Sequence, residues 1–386
     1  MFSKRSDWSF SLNLLTERLV AARRSGRKIL DLTESNPTRC AFQYPSGLFS
    51  ALANPANLTY EPSPKGKRQA REVIVGYYAE KGISLNPEQI LLTASTSEAY
   101  SFLFRLLLNP GETVLTPRPS YPLFEYLASL NDVTQDYYPL LLGPDWRIDL
   151  ESLKKSASLD TRAILLVNPN NPTGSFVKNE EKEFLGALSR EKNIPLIADE
   201  VFLDYRFEEG EAPTFSGEER TLTFTLSGIS KILALPQMKL SWIVVNGPKE
   251  LQQGALERLE IIADTYLSVN TPSQNALKEW FSFRKTIQSQ IQKRLLQNRE
   301  RLLQTVSNSP CRVLPAEGGW YALLKLPDGV DEEKWALELL EKEDVLIHPG
   351  YFFDFSEESL VLSLLVPPDI FQEGLSRLLA CLQKNP

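Results

Sequence analysis

The stretch AILLVNPNNPTG, Ala163 to Gly174, decides the fold. Five apolar residues in a row, Ala163 to Val167, suit a strand buried on both faces. The run then breaks into alternating asparagine and proline and ends at Gly174, a composition that makes a turn. An ordinary tight turn explains those residue types. Two prolines flanking paired asparagines do more, because they fix Asn171 rigidly at the strand's end, where its amide can reach a ligand.

Outward from this stretch, helical and strand patterns alternate. Helical periodicity covers 69–81, 97–108, 123–130 and 180–191, and short strands are expected at 90–93, 113–116, 196–198, 222–225 and 242–245. Strands alternating with helices predict an α/β fold whose mostly parallel sheet is covered on both faces. A long helical stretch then runs from 251 to about 306. Short strands follow it at 312–314, 321–325, 345–347 and 360–364, the texture of a smaller α+β domain. A helix over 11–24 and a strand at 29–33 are expected to pack with that smaller unit. The expected division is a large domain over 46–269 and a small one built from 1–45 and 270–386.

Bulk properties narrow the function. A chain of 386 residues is too long for one simple core, so two lobes are the default. Net charge is -7 and no long basic run occurs, which argues against nucleic acid as a partner. Cys40, Cys311 and Cys381 are odd in number and far apart, with no CxxC spacing. That argues against a disulfide framework or a zinc site. His348 is the single histidine, too little for a histidine-based triad or a multi-histidine metal centre. No run of about 18 apolar residues and no signal-peptide core is present, so a cytoplasmic protein without membrane contact is the simplest expectation.

Four segments carry candidate chemistry, each at or just after an expected strand end, where open α/β sheets place ligands. TASTSEA, Thr93 to Ala99, joins a strand to an apolar helix. Ser95, Thr96 and Ser97 can cap that helix and leave backbone N–H groups for an anion, and a plain N-cap is the simpler account. VNPNNPTG supplies Asn171. LIADEVFLDY puts Asp199 at the end of an apolar strand, where a buried carboxylate needs a cationic or donor partner; a helix cap would also use it. TLSGISKILALPQMKLSW places Lys231 in an apolar, hydroxyl-bearing setting beside Ser230. Desolvation there favours the neutral amine that Schiff-base chemistry needs. Lys239, eight residues on, is a second cation able to face a phosphate. Either lysine alone would be read as surface. Together with Asn171 and Asp199 upstream, in that order, they are not.

These motifs resemble those of the fold-type I, class I/II aminotransferases of the aspartate aminotransferase superfamily, from about Asp31 to the C-terminus. The resemblance implies a seven-stranded-type sheet and pyridoxal 5′-phosphate as cofactor, with no metal. It implies that Lys231 holds the cofactor as a Schiff base, that Asp199 pairs with the ring nitrogen and that Asn171 bonds the ring oxygen. Tyr121, in RPSYPLF, would stack on the ring. Ser95, Thr96, Ser97, Ser230 and Lys239 would surround the phosphate. Tyr60, in YEPSPKG, would reach the phosphate of a partner subunit, which implies a homodimer with shared active sites. The implied reaction moves an amino group from an amino acid to a 2-oxo acid by ping-pong kinetics. A lyase or decarboxylase on the same fold is the alternative, since the cofactor-binding residues do not separate these reactions.

The departures from the family pattern are informative. Lys239 stands where the family has arginine, a point charge in place of a fork. Gly228 stands three residues before the lysine, where serine is usual. Phe202 replaces a tyrosine that donates to the ring oxygen. Val361, in LVLSLLVPP, stands where an arginine grips the substrate α-carboxylate. Either the anchor has moved, with Arg39 in ESNPTRCAF the first candidate and Arg118 the second, or the substrate is an amine lacking that carboxylate. Trp320, Tyr321 and His348 match stretches that face substrate in relatives. An aromatic cluster of Tyr351, Phe352, Phe353 and Phe355 would suit an apolar or aromatic side chain.

Overall fold

The computed structural model describes residues 1–8, 11–210 and 213–384. Its largest element is an eight-stranded sheet. In chain order the strands are β1 (Ile90–Thr93), β2 (Thr113–Arg118), β3 (Thr134–Leu142), β4 (Trp146–Ile148), β5 (Thr161–Val167), β6 (Leu196–Asp199), β7 (Thr223–Gly228) and β8 (Ser241–Asn246). Their spatial order is β1-β8-β7-β6-β5-β2-β3-β4. β7, β6, β5, β2 and β3 run parallel to one another, whereas β8 is antiparallel to both its neighbours and β4 is antiparallel at the edge. The sheet therefore has one strand more than the seven-stranded type, and the addition is the three-residue β4.

After Thr161 and the exposed Arg162, period-two alternation between two covered faces explains why β5 is apolar from Ala163 to Val167. Ala163, Leu165 and Val167 point into one core with Ile197, Phe224, Leu226 and the helix residues Ala99, Phe102 and Leu103. Ile164 and Leu166 point the other way, onto Leu185 and Leu188 of the helix Asn179–Lys192. Both faces are covered, so no position in the strand can be polar until the sheet's edge is passed.

Besides the added β4, two features of the fold stand out against the sequence expectation. β3 had no signal as a strand: Asp136 and Pro139 interrupt it, and it lies near the sheet edge with exposed positions, where such residues are tolerated. The long stretch after 250 is three helices, Lys249–Tyr266, Thr271–Ser282 and Arg284–Val306. The first ends at Leu267 in the left-handed conformation, and the second starts on an Asn270 side chain that accepts from Ser273 N, with Pro272 in the first turn.

The C-terminal part contains a four-stranded antiparallel sheet of β9 (Arg312–Val313), β10 (Tyr321–Lys325), β11 (His348–Pro349) and β12 (Ser359–Ser363), in the order β9-β10-β12-β11. The N-terminal segment joins it. Leu30–Asp31 pairs in parallel with Val345–Leu346, and Arg27 Nε donates to Asp344 Oδ1 at 2.6 Å. No helix among the described residues is long and apolar enough to cross a membrane, and no group of acidic, histidine and cysteine residues there could hold a metal ion.

Candidate active site

The ends of β1, β5, β6 and β7 and the start of β8 lie side by side. Thr93 pairs with Ser241, Gly228 with Ser241, and Val167 with Asp199. A cavity of about 440 Å³ opens there. Its lining includes Lys231, Lys239, Ser230, Ser95, Thr96, Ser97, Tyr121, Asn171, Asp199 and Tyr321. Ten residues expected from the sequence to act together, scattered over some 230 positions, thus meet at one place. A larger open groove, about 690 Å³, lies around Gly82–Gln89 and Asn246–Gln252. It is at the other end of the sheet, because Asn246 pairs with Thr223 at the start of β7, and it contains none of these groups.

Local structure leaves Asn171 free while its neighbours are spent on the turn. Asn168 Nδ2 donates to Pro213 O at 2.6 Å and its Oδ1 accepts from Val177 N. Asn170 Oδ1 accepts from Thr173 Oγ1 at 2.9 Å. Gly174 has φ of +71°, and a Cβ there would fall 2.4 Å from Gly318 O, so glycine is needed both for the conformation and for the close approach of the C-terminal segment. Asn171 is buried, yet its Oδ1 has no hydrogen-bond partner among the described residues. A buried polar atom left so is a site for something not made of protein.

Asp199 ends β6 and is likewise buried. Tyr100 Oη donates to its Oδ2 at 2.7 Å and Val201 N to its Oδ1 at 3.1 Å. Burial raises its carboxyl above the usual range, the two donors and the Lys231 charge acting against that. A cation held at the carboxylate would act in the same direction as those donors. Tyr100 carried no sequence signal of its own. It reads as one more apolar residue of the helix Thr96–Leu107, and only the folded chain aims its hydroxyl at Asp199.

Lys231 sits in the short helix Ile229–Ile232, with Tyr205 Oη donating to its carbonyl at 2.6 Å. Its Nζ lies 4.9 Å from the Trp320 ring and 5.5 Å from the Phe202 ring. The side chain faces the cavity, but protein atoms enclose the amine. Burial lowers its pKa to about 8, partly opposed by Asp199. Trp320 is itself completely buried behind the lysine and does not line the cavity.

The anion side of the cavity is the start of the helix Thr96–Leu107. Ser95 is its N-cap, accepting from Glu98 N, and the N–H groups of the first turn point outward. Lys239, in the left-handed conformation at φ +52°, makes no ion pair with any described residue. Tyr121 stands at the mouth, 42% exposed, with its ring edge-on to Phe124.

Besides Trp320, three expected residues lie elsewhere. Tyr60 is 71% exposed and borders a separate shallow groove with Glu61–Pro64. The Arg39 side chain is 74% exposed and 3.8 Å from Glu34, outside the cavity lining. Arg118 stacks 3.9 Å over the Tyr137 ring and faces Asp354, so it too is absent from the lining. Val361 is buried opposite Leu323 and His348, in an apolar cluster with Trp146, Phe353 and Phe355. No arginine lines the cavity among the described residues. Thr33 and Ser35 do; Thr33 was not expected there, whereas Ser35 belongs to the loop that the family resemblance puts over the site.

The model of the family "Aminotransferase class I and II" matches residues 34–378, and the chain belongs to that family. It is accordingly a transaminase, with the fold of the fold-type I enzymes. Glutamate-pyruvate aminotransferase AlaA of Escherichia coli (strain K12) is 28% identical over 340 residues, covering 86% of this chain and 84% of the relative. Nicotianamine aminotransferase 1 of Oryza sativa subsp. japonica is 24% identical, covering 94% and 76%. Among solved structures, an alanine aminotransferase from Pyrococcus furiosus superposes over 100% of both chains with a TM-score of 0.92 at 23% identity.

Proposed function

We propose that pyridoxal 5′-phosphate occupies the 440 Å³ cavity, joined covalently to the Lys231 amine. One observation carries this reading: a desolvated amine, a buried carboxylate and a buried amide with an orphaned atom all open onto the same space, beside a helix start and an unpaired lysine. When bound, the cofactor supplies an aldehyde that condenses with amines and a ring that takes up electrons from the substrate carbon. Asp199 would hold positive charge on the ring nitrogen, Asn171 would donate to the ring oxygen, and Tyr121 would pack on the ring. Ser95, Thr96, Ser97, Ser230 and Lys239 would hold the phosphate. The Lys231 amine would carry a proton to and from the substrate α-carbon. The purified protein should absorb in the visible range, and borohydride reduction should fix the cofactor to Lys231. Colourless protein with no adduct there sinks the reading.

The substrates in this reading are an amino acid and a 2-oxo acid, with an apolar side chain in at least one half-reaction. Phe124, Phe202, Tyr321 and Phe353 line the cavity, and no arginine does so to pair with a second carboxylate. The alanine and glutamate–pyruvate names of relatives agree with a small apolar partner. Arg39 is proposed to anchor the α-carboxylate. It follows four residues after Ser35, which lines the cavity, and its exposed 3.8 Å contact with Glu34 is too weak to hold it away. Arg39→Ala should raise the donor KM by about 10-fold or more, the loss expected for one charge-assisted contact, with little change in kcat. An unchanged KM removes Arg39 from this role.

The reading also includes a homodimer, with Tyr60 reaching the partner's phosphate site. Its exposure, and that of Leu58 at 91% beside it, favour a covered position in an assembly. It places the enzyme in the cytoplasm and divides the chain into a large domain, 46–269, and a small one, 1–45 with 270–386.

A further inference from the structure

We infer that Ser241 donates its hydroxyl to the cofactor phosphate, taking the place of the serine that relatives carry three residues before the lysine. The inference rests on the cofactor reading above. Gly228 occupies that earlier position here and pairs directly with Ser241 across β7 and β8. Its backbone is extended, with φ of -179°, a conformation open to any residue. Glycine is therefore not required by the chain's path. It is required by Ser241: a Cβ at 228 would fall 2.2 Å from Ser241 Oγ, 2.9 Å from its Cβ and 3.0 Å from its Cα. The Ser241 hydroxyl thus stands where a side chain at 228 would begin, and the two positions cannot both carry one.

The place is a polar one. Ser241 is 2% exposed as a residue and borders the cavity, so its hydroxyl can donate to an anion held there. Both Gly228 and Ser241 line the cavity together with Ser95, Ser97, Ser230 and Lys239. Lys239 offers a single point charge where relatives offer a guanidinium fork, so a hydroxyl two residues further along restores a directed donor to the same anion.

The test is cofactor affinity of the apoenzyme, followed by absorbance, with pyridoxal phosphate and with pyridoxal, which lacks the phosphate. Ser241→Ala should weaken pyridoxal phosphate about 10-fold or more and leave pyridoxal binding unchanged. Gly228→Ser alone should lose affinity or fail to fold. The exchanged pair Gly228→Ser with Ser241→Gly should return to within about 3-fold of wild type, a difference of under 1 kcal/mol. Equal affinity of Ser241→Ala and wild type for pyridoxal phosphate, or equal weakening for both compounds, overturns the assignment. So does an exchanged pair no better than Gly228→Ser. A wild type that takes up neither compound overturns the cofactor reading, and this assignment with it.

Discussion

Lys231→Ala is expected to lower the transamination rate by at least about 10⁴-fold, the largest effect of any single substitution in this chain. General acid–base help alone contributes about 10²–10⁴-fold, and the same amine is also the point of covalent attachment. The environment explains why this lysine and no other serves. With burial holding its pKa near 8, about a quarter of the amine is neutral at pH 7.5, against about 0.1% for an unperturbed lysine near 10.5. The sign follows from the shift: the neutral, nucleophilic form grows as pH rises towards 8 and is nearly complete a unit above. The rate of cofactor uptake by the apoenzyme should rise over that range and then level. A rise that continues to pH 10 would mean the amine is not desolvated as the Trp320 and Phe202 contacts imply. The alanine variant should fold at least as well as wild type, because it removes an amine that burial destabilises as a cation. Stopped-flow amine transfer together with thermal unfolding separates loss of chemistry from loss of fold.

The second large effect is at Asp199. Asp199→Asn keeps the size and one acceptor oxygen, whereas Tyr100 and Val201 donate to separate carboxylate oxygens at 2.7 and 3.1 Å. It removes the charge and the acceptor for one of those two donors. Breaking a buried ion pair costs about 3–5 kcal/mol, which corresponds to a loss of about 10²–10⁴-fold in kcat/KM if the carboxylate holds positive charge on the ring nitrogen. The asparagine variant should also show a shifted cofactor absorption band, since the protonation of the ring changes. Tyr100→Phe is the control: it removes one hydrogen bond and leaves the carboxylate in place, so its loss should be smaller. If Asp199→Asn retains activity within about 3-fold of wild type, the carboxylate only caps the strand end, and the argument from its buried charge fails.

These effects show which parts of the molecule the sequence declares and which it conceals. Strands buried on both faces favour uninterrupted apolar runs, so 163–167 and 196–198 were readable as strands, and the polar residues just beyond them as candidate site positions. Asp199 and Asn171 stood out as polar residues at or just beyond the end of an apolar run, and Lys231 as a lysine in an apolar, hydroxyl-bearing setting, in a chain order that the family pattern also carries. β3 was not legible, because near a sheet edge the backbone tolerates Asp136 and Pro139 and the alternation is lost. The break at Leu267 was hidden too. A leucine in the left-handed conformation gives no sign of itself in composition, and only the capping asparagine at 270 hints at it.

Tertiary structure alone decided the rest. Tyr100 looked like core and proves to be the donor to Asp199. Trp320 looked like a substrate contact and is a wall behind the lysine. Arg39 and Arg118, both plausible anchors by type, lie outside the cavity lining. Gly228 read as a loss, and its meaning appears only when β7 and β8 are paired and Ser241 is found in the space it leaves. The physical reason is common to all of these. Apolar periodicity is a property of each segment and survives in the linear sequence, whereas distance and direction between side chains exist only after segments far apart in the chain are brought into register.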